Sequence, residues 1–254
     1  MFFLVVAHRG FSGIAPENTL PAFEEAINTD ADFVELDVRK TRDGALVVSH
    51  DRDLHRVFGS SLIISDSNLE KLKSVVLRHK KYGDVTIATL GEALDLLSRS
   101  NKQIIIEIKE SGYEDQVVKL VKSLGLEDRV HFASFNFASL KQINRIDPKF
   151  PLIAIANTFS EKILKYVLSI NANILALRKD AISPNIVRFC MRRGVMVNAW
   201  IINSIKEAMS YLSMGVSIIS TDYPDRISDL RRKLQERFRN LLPQDISYTP
   251  RHNS

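Results

Sequence analysis

Residues 33–51 read Phe33-Val34-Glu35-Leu36-Asp37-Val38-Arg39-Lys40-Thr41-Arg42-Asp43-Gly44-Ala45-Leu46-Val47-Val48-Ser49-His50-Asp51. The first half alternates apolar and charged residues, and in a strand alternate side chains share a face. Glu35, Asp37 and Arg39 therefore point one way, and Val34, Leu36 and Val38 point the other, toward a packed layer. Asp43-Gly44 reads as a two-residue hairpin turn, because glycine takes positive φ freely and Asp tolerates it better than most residues. With those two residues as the loop, Arg42 pairs with Ala45 and Asp37 falls opposite His50. Two carboxylates and an imidazole thus come within a side chain's reach, a set suited to a divalent cation beside a proton-transfer group. The same spacing also fits a surface hairpin with a solvated charged face.

Working outward, residues 2–7 form a short apolar run, as expected of a strand buried on both faces, and it ends at His8-Arg9-Gly10. Leu20, Phe23, Ala26 and Ile27 then recur at helical spacing, with Asn18 or Thr19 as the cap. Strand, helix and the strand at 33–38 make a βαβ unit and imply a parallel sheet. Residues 52–88 read as an irregular insertion with a short helical piece near 69–76, after which Thr89 and Glu92 form a capping box opening a helix through Leu97. The alternation continues, with strands expected at 103–109, 130–134, 152–156, 174–177, 195–201 and 216–220. Helices are expected at 114–124, 138–145, 160–170, 184–193, 206–212 and 224–238.

Leaving aside the returning hairpin strand, eight parallel strands can be counted in 254 residues, the number and size of a (β/α)₈ TIM barrel with a hairpin and insertion after its second strand. In that fold, sites lie at the strand C-termini. His8, Glu35, Asp37, Glu107, Lys109, Trp200 and Thr221-Asp222 all fall there. Unpaired buried charges cost several kcal/mol each, so such a gathering implies a metal, a ligand or mutual pairing. Residues 1–242 are expected to form a single domain, and 243–254 a polar, mobile tail.

Composition is ordinary for a soluble globular protein, with 45% hydrophobic and 26% charged residues. The single cysteine, Cys190, excludes an internal disulfide framework and suits a reducing compartment. The N-terminal apolar run is too short for a membrane span and lacks a signal peptide's basic region, so a cytoplasmic protein is expected. A net charge of +5 leans toward an anionic ligand, while the absence of a base-stacking motif argues against nucleic acid. Leu230, Leu234 and Phe238 among Arg231, Arg232, Lys233, Arg237 and Arg239 make a basic amphipathic helix. It reads first as the barrel's closing helix and second as a contact for an anionic membrane.

Taken in order, His8-Arg9-Gly10, Ala15-Pro16-Glu17-Asn18-Thr19, Glu35-Leu36-Asp37-Val38, Asp43-Gly44, His50-Asp51 and Glu107-Ile108-Lys109 resemble the glycerophosphodiester phosphodiesterase family. Ala199-Trp200-Ile201-Ile202-Asn203 and Ser220-Thr221-Asp222 extend the likeness to about residues 6–228. Two departures are Ala88, where the family often has Pro, and Ile201, where it often has Thr. The resemblance implies a metal-dependent hydrolase releasing sn-glycerol 3-phosphate and an alcohol from a small glycerophosphodiester. It implies Glu35, Asp37 and Glu107 as ligands of one divalent cation, His8 and His50 as the acid–base pair, and Arg9 and Lys109 as phosphate contacts. It also implies that 52–88 covers the glycerol side. An all-carboxylate set favours Mg²⁺ or Ca²⁺, with Mn²⁺ also compatible, over zinc.

Several roles stay open at this level. Trp200 either lines the pocket, as a substrate contact, or fills the barrel mouth. Asn18 either binds phosphate or caps the helix, and Glu17 either supports the site or binds backbone amides. Asp222 either positions site groups or caps the final helix. The nucleophile is either water or the substrate's own glycerol hydroxyl. A lysophospholipase D or sphingomyelinase-like activity on lipid substrates, and a non-catalytic glycerophosphate-binding barrel, are the competing readings.

Overall fold

The structure is a computed structural model that describes residues 3–241. Strands β1 (Leu4–Ala7), β2 (Phe33–Lys40) and β3 (Leu46–Val48) open the chain, with helix α1 (Leu20–Ile27) between the first two. Helices α2 (His55–Phe58) and α3 (Leu69–Lys73) and the hairpin β4 (Leu77–His79) and β5 (Gly83–Val85) form the insertion. Then α4 (Leu90–Ser98), β6 (Gln103–Ile108), α5 (Glu114–Ser123), β7 (Val130–Ser134), α6 (Phe137–Ile146) and β8 (Leu152–Ala156) alternate. They are followed by α7 (Glu161–Ser169), β9 (Ile174–Arg178), α8 (Pro184–Met191), β10 (Met196–Trp200), α9 (Ile205–Ser213), β11 (Ile218–Thr221) and α10 (Pro224–Leu241).

The strand order β1-β11-β10-β9-β8-β7-β6-β2 closes on itself through a β1–β2 pairing, and all these pairings are parallel. This is the expected eight-stranded barrel, with β3 attached to β2 as an antiparallel strand outside the ring. Strand period 2 divides the apolar residues into two layers. Val34, Leu36, Val38, Ile104 and Ile106 face the helices, while Val6, Phe33, Ile105, Ile153 and Ile218 fill the barrel. Glu35, Asp37 and Glu107 share the parity of Phe33 and Ile105, so they point inward above that fill. The β2–β6 register sets Asp37 beside Glu107.

The hairpin register differs from expectation by one residue. Arg39 pairs with Val47 and Lys40 with Leu46, and the Thr41 amide donates to the Ala45 carbonyl at 2.9 Å. The loop is therefore Arg42-Asp43-Gly44, with Gly44 at φ +87°. The physical cause is side-chain bonding that a two-residue turn does not use. Thr41 Oγ1 accepts the Ala45 amide at 2.9 Å, and the Asp43 carboxylate accepts the Leu69 amide at 3.2 Å, tying the turn to the insertion. Asp37 faces Ser49, whose amide donates to the Asp37 carbonyl at 2.9 Å, not His50.

Residues 52–88 are more ordered than expected. Leu54, Ile64, Leu72 and Ile87 pack with Val47 into a small core of their own. Thr19, not Asn18, caps α1, and the Thr89–Glu92 capping box is present as expected. Along α10, Ile227 and Leu230 are buried against the barrel, Leu234 packs beside them, and Phe238 is exposed. No helix among the described residues is long and apolar enough to cross a membrane. Residues 1–2 and 242–254, including the expected tail, lie outside the described residues.

Candidate active site

The His8-Arg9-Gly10 segment leaves β1 in a left-handed turn, with Arg9 at φ +57° and Gly10 at φ +78°. A Cβ on Gly10 would meet the Ala22 backbone of α1 at 2.6 Å, so only glycine lets the loop lie this close to the helix. The turn aims the Arg9 amide at Glu35 Oε2, 2.8 Å away. The Arg9 guanidinium reaches Glu17 through Nη1 at 2.8 Å and lies 3.3 Å from Asp37 Oδ2 through Nε.

Glu35, Asp37 and Glu107 each offer a carboxylate oxygen within 4.8 Å of the others, and all three are buried. Asn18 holds Asp37 from both sides. Its Nδ2 donates to Asp37 Oδ2 at 2.8 Å and its Oδ1 accepts the Asp37 amide at 3.2 Å. Thr19, and not Asn18, caps the helix, so the capping alternative for Asn18 does not hold. Lys109 Nζ donates to Glu107 Oε1 at 2.6 Å and lies 3.2 Å from Asp37 Oδ1. Asp37 Oδ1 and Arg9 Nε nonetheless remain buried with no hydrogen-bond partner.

The electrostatics show a missing positive charge. Burial, then repulsion from Asp37, raises the Glu107 carboxyl to about 7. Burial, then repulsion from Asp37 and Glu107, pushes Glu35 well above the usual carboxylate range. Asp37 goes the other way: burial would raise it, but Lys109, Arg9, His50 and Asn18 outweigh burial and hold it low. Three buried carboxylates thus share two cations, one of which is also claimed by Glu17. Protons fill the deficit unless a cation does. The donor set is entirely hard oxygen, and one oxygen lacks a hydrogen-bond partner, so the residues fit an oxygen-loving divalent ion.

His8 and His50 both line a cavity of about 200 Å³ at this end of the barrel, together with Arg9, Glu35 and Glu107. Each ring is held in the same way. His8 Nδ1 is 2.8 Å from Asp222 Oδ1, and His50 Nδ1 is 2.8 Å from Asp51 Oδ1. An ionised carboxylate only accepts, so each Nδ1 carries the hydrogen and each Nε2 is left for other work. Burial would raise the Asp222 carboxyl, but hydrogen bonds from His8, Asn203 and Ser12 bring it to about 2. Asp51 is lowered by His50 and Arg56 against the opposing effect of burial. Burial lowers His50, reinforced by the Arg9 and Lys109 charges.

His50 reaches the cavity although the register slip would have turned it outward. β3 ends at Val48, the chain bends, and the Arg39 guanidinium grips the His50 carbonyl at 2.7 and 3.1 Å. Trp200 lines the cavity wall edge-on to Phe135, centroids 5.8 Å apart, with its Nε1 buried and unpartnered. Glu17 binds the guanidinium groups of Arg9 and Arg56 and not backbone amides. All eight residues singled out from the sequence therefore meet at one barrel mouth. Asp51, Asn203 and Arg56 were not singled out. Asp51, next to His50, and Asn203, at the end of the Ala199–Asn203 stretch, carried a sequence signal, and Arg56 carried none.

Comparison with known proteins agrees with this geometry. The chain is 33% identical over 242 residues to a glycerophosphodiester phosphodiesterase of Bacillus altitudinis, covering 91% of this chain and 99% of that one. It is 32% identical over 238 residues to another from Caldanaerobacter subterraneus subsp. tengcongensis, covering 91% and 98%. Among solved structures it is similar to an Oleispira antarctica phosphodiesterase in complex with the product sn-glycerol-3-phosphate. There the TM-score is 0.84 and the identity 27%, over 90% of this chain and 96% of that chain. The family model described as the glycerophosphoryl diester phosphodiesterase family matches residues 8–226, from the first histidine into the closing helix, and the chain belongs to that family.

Proposed function

We propose that this protein hydrolyses glycerophosphodiesters to sn-glycerol 3-phosphate and an alcohol, with one divalent cation held by Glu35, Asp37 and Glu107 and with His8 and His50 as general acid and base. The observation that carries the reading is the pairing of two oriented imidazoles with a charge-deficient carboxylate triad at one cavity, which Glu35 and Glu107 line and Asp37 adjoins. A phosphodiester is an anion that repels nucleophiles. A cation bound by the triad would neutralise it and stabilise the added charge of the transition state. Arg9 and Lys109 supply the fixed positive charge, and the unpartnered Arg9 Nε is a donor available to a phosphate oxygen.

The attacking oxygen must lose a proton and the leaving alkoxide must gain one. A lowered pKa keeps His50 neutral near pH 7 and able to accept at Nε2, which favours it as the base and leaves His8 as the acid. Trp200 and Phe135 form an apolar wall for the carbon skeleton of the substrate. Mg²⁺ or Ca²⁺ fits the oxygen donors best, with Mn²⁺ as a substitute. A cytoplasmic location accords with the single free cysteine.

The test is release of glycerol 3-phosphate from glycerophosphocholine and glycerophosphoethanolamine, with lysolipids in parallel, before and after chelation. Turnover of the water-soluble diesters should vanish on chelation and return with Mg²⁺, Ca²⁺ or Mn²⁺. Full activity after rigorous chelation would overturn the metal assignment, and exclusive turnover of lysolipids would favour the lipid-substrate reading.

A further inference from the structure

Arg56 stands on the inserted helix α2, outside the barrel, yet each guanidinium nitrogen is bonded to a group that touches the site. Its Nε donates to Asp51 Oδ2 at 2.7 Å, and Asp51 Oδ1 is the partner of His50 Nδ1 at 2.8 Å. Its Nη1 and Nη2 donate to Glu17 at 2.6 and 2.7 Å, and Glu17 Oε1 is the partner of Arg9 Nη1 at 2.8 Å. Asp51 follows β3 and Glu17 follows β1, so the two carboxylates belong to separate loops. Among the described residues, no other side chain is hydrogen-bonded to both.

We infer that Arg56 is a positioning residue that ties the insertion to both halves of the reaction, orienting the His50 ring through Asp51 and placing the Arg9 guanidinium through Glu17. This rests on the proposed roles of His50 and Arg9. The reason is geometric. The Asp51 side chain is 29% exposed and sits on a bend, so with His50 as its only partner it rotates freely. Arg56 occupies its second oxygen and stops that rotation. Glu17 is shared between two guanidinium groups, which balances its pull on Arg9. Without Arg56 the Glu17 carboxylate belongs to Arg9 alone and draws that charge from the phosphate. A planar fork is required, because a lysine is a point charge that cannot bridge both carboxylates.

The two arms predict separable effects. Arg56→Ala should lower kcat on glycerophosphocholine by about 10–100-fold, the range for removing a group that orients a working one, and also raise KM several-fold. Asp51→Asn alone should lower mainly kcat, and Glu17→Gln alone should raise mainly KM. Adding Arg56→Ala to Asp51→Asn should cost little further kcat, and adding it to Glu17→Gln little further KM, because coupled residues are not additive. Arg56→Lys should recover KM better than kcat. Should Arg56→Ala loosen the insertion, seen as a lower Tm, Arg56→Lys and low-millimolar guanidinium rescue carry the same test. Near-wild-type kcat and KM in Arg56→Ala, or fully multiplicative losses in both double variants, would overturn the clasp while an inactive His50→Ala leaves the acid–base reading standing. A fully active His50→Ala removes both.

Discussion

Charged side chains crowd both ends of this barrel, but they are settled differently. At the N-terminal end, Arg129 donates to the carbonyls of Leu97 and Ser98 at 3.0 Å each and to that of Lys102 at 2.6 Å. Lys102 donates to the Ala31 carbonyl at 2.9 Å, and Asp32 accepts the Val5 amide at 2.7 Å while pairing with Arg231. These groups satisfy one another and close the barrel floor. At the mouth, three carboxylates face each other with too few cations, and Asp37 Oδ1 and Arg9 Nε have no hydrogen-bond partner. The same architecture thus uses charge as a fastener at one end and holds it unbalanced at the other, which is the condition for binding a cation and an anionic substrate.

The largest effects are expected from the mouth's histidines. His8→Ala or His50→Ala should each cost about 10²–10⁴ in kcat. The double variant should lose far less than the product of the two, since the pair acts as a unit. A nitrophenyl phosphodiester, whose leaving group needs little protonation, should rescue His8→Ala and not His50→Ala. Rescue of the other variant would exchange the roles. Near-wild-type kcat in both, with fold and metal content intact, would end the two-histidine account.

A smaller contrast tests the comparison directly. Glu35→Gln should abolish most activity through weaker metal binding, with partial rescue by excess metal. It should also stabilise the metal-free protein by about 1 kcal/mol, because a neutral amide spares folding the cost of holding a proton on a buried carboxyl beside Asp37 and Glu107. Asp32→Asn at the floor should do the reverse, costing about 1–3 kcal/mol of stability and leaving kcat unchanged. Urea unfolding of the chelated proteins, with kinetics on the same samples, decides it. If Glu35→Gln destabilises as much as Asp32→Asn, the two ends are not different in kind.

The smallest effect is in the pH dependence of stability, where the ends should slope oppositely. Glu107 is raised from 4.5 to about 7 in the metal-free fold, so its contribution is present below 4.5 and is lost as pH rises through 7. His131, on β7 edge-on to Phe33, is lowered by burial from 6.5 to about 4, and its Nδ1 has no partner. A histidine held neutral contributes stability above 6.5 that is lost as pH falls toward 4. Added metal should abolish the first slope and release protons near pH 6.5, seen by calorimetry in buffers of different ionisation enthalpy. His131→Leu should flatten only the second. A metal-insensitive slope above pH 6 would show that Glu107 is not a ligand.

Much of this was legible because it depends on period and end signals. The 2.0 and 3.6 periods, the Thr89–Glu92 box and the apolar runs mark strands and helices locally, so the barrel count and the inward face of Glu35, Asp37 and Glu107 follow from residue order alone. The hairpin shows the limit. The expected Asp37–His50 pairing is absent, yet His50 still reaches the cavity, because Arg39 and the bend after Val48 redirect it. Turn register depends on whether Thr41 and Asp43 bond the loop and the Leu69 amide, and that amide lies far along the chain.

The candidate site residues could be read from the sequence, and the partners that orient them were set by the fold. His8 and the three carboxylates could be assigned to strand ends because a parallel barrel brings all its strand C-termini to one face, whereas His50 was brought near them only by the hairpin count. That Asn18 would clamp Asp37, that Asp222 would hold His8 from the far end of the chain, and that Arg56 would join Asp51 to Glu17 could not be assigned in the same way. Those contacts span large sequence separations through side-chain rotamers and loop paths. A one-dimensional pattern carries the direction of a side chain on its own strand, and only closure of the barrel determines what that side chain meets.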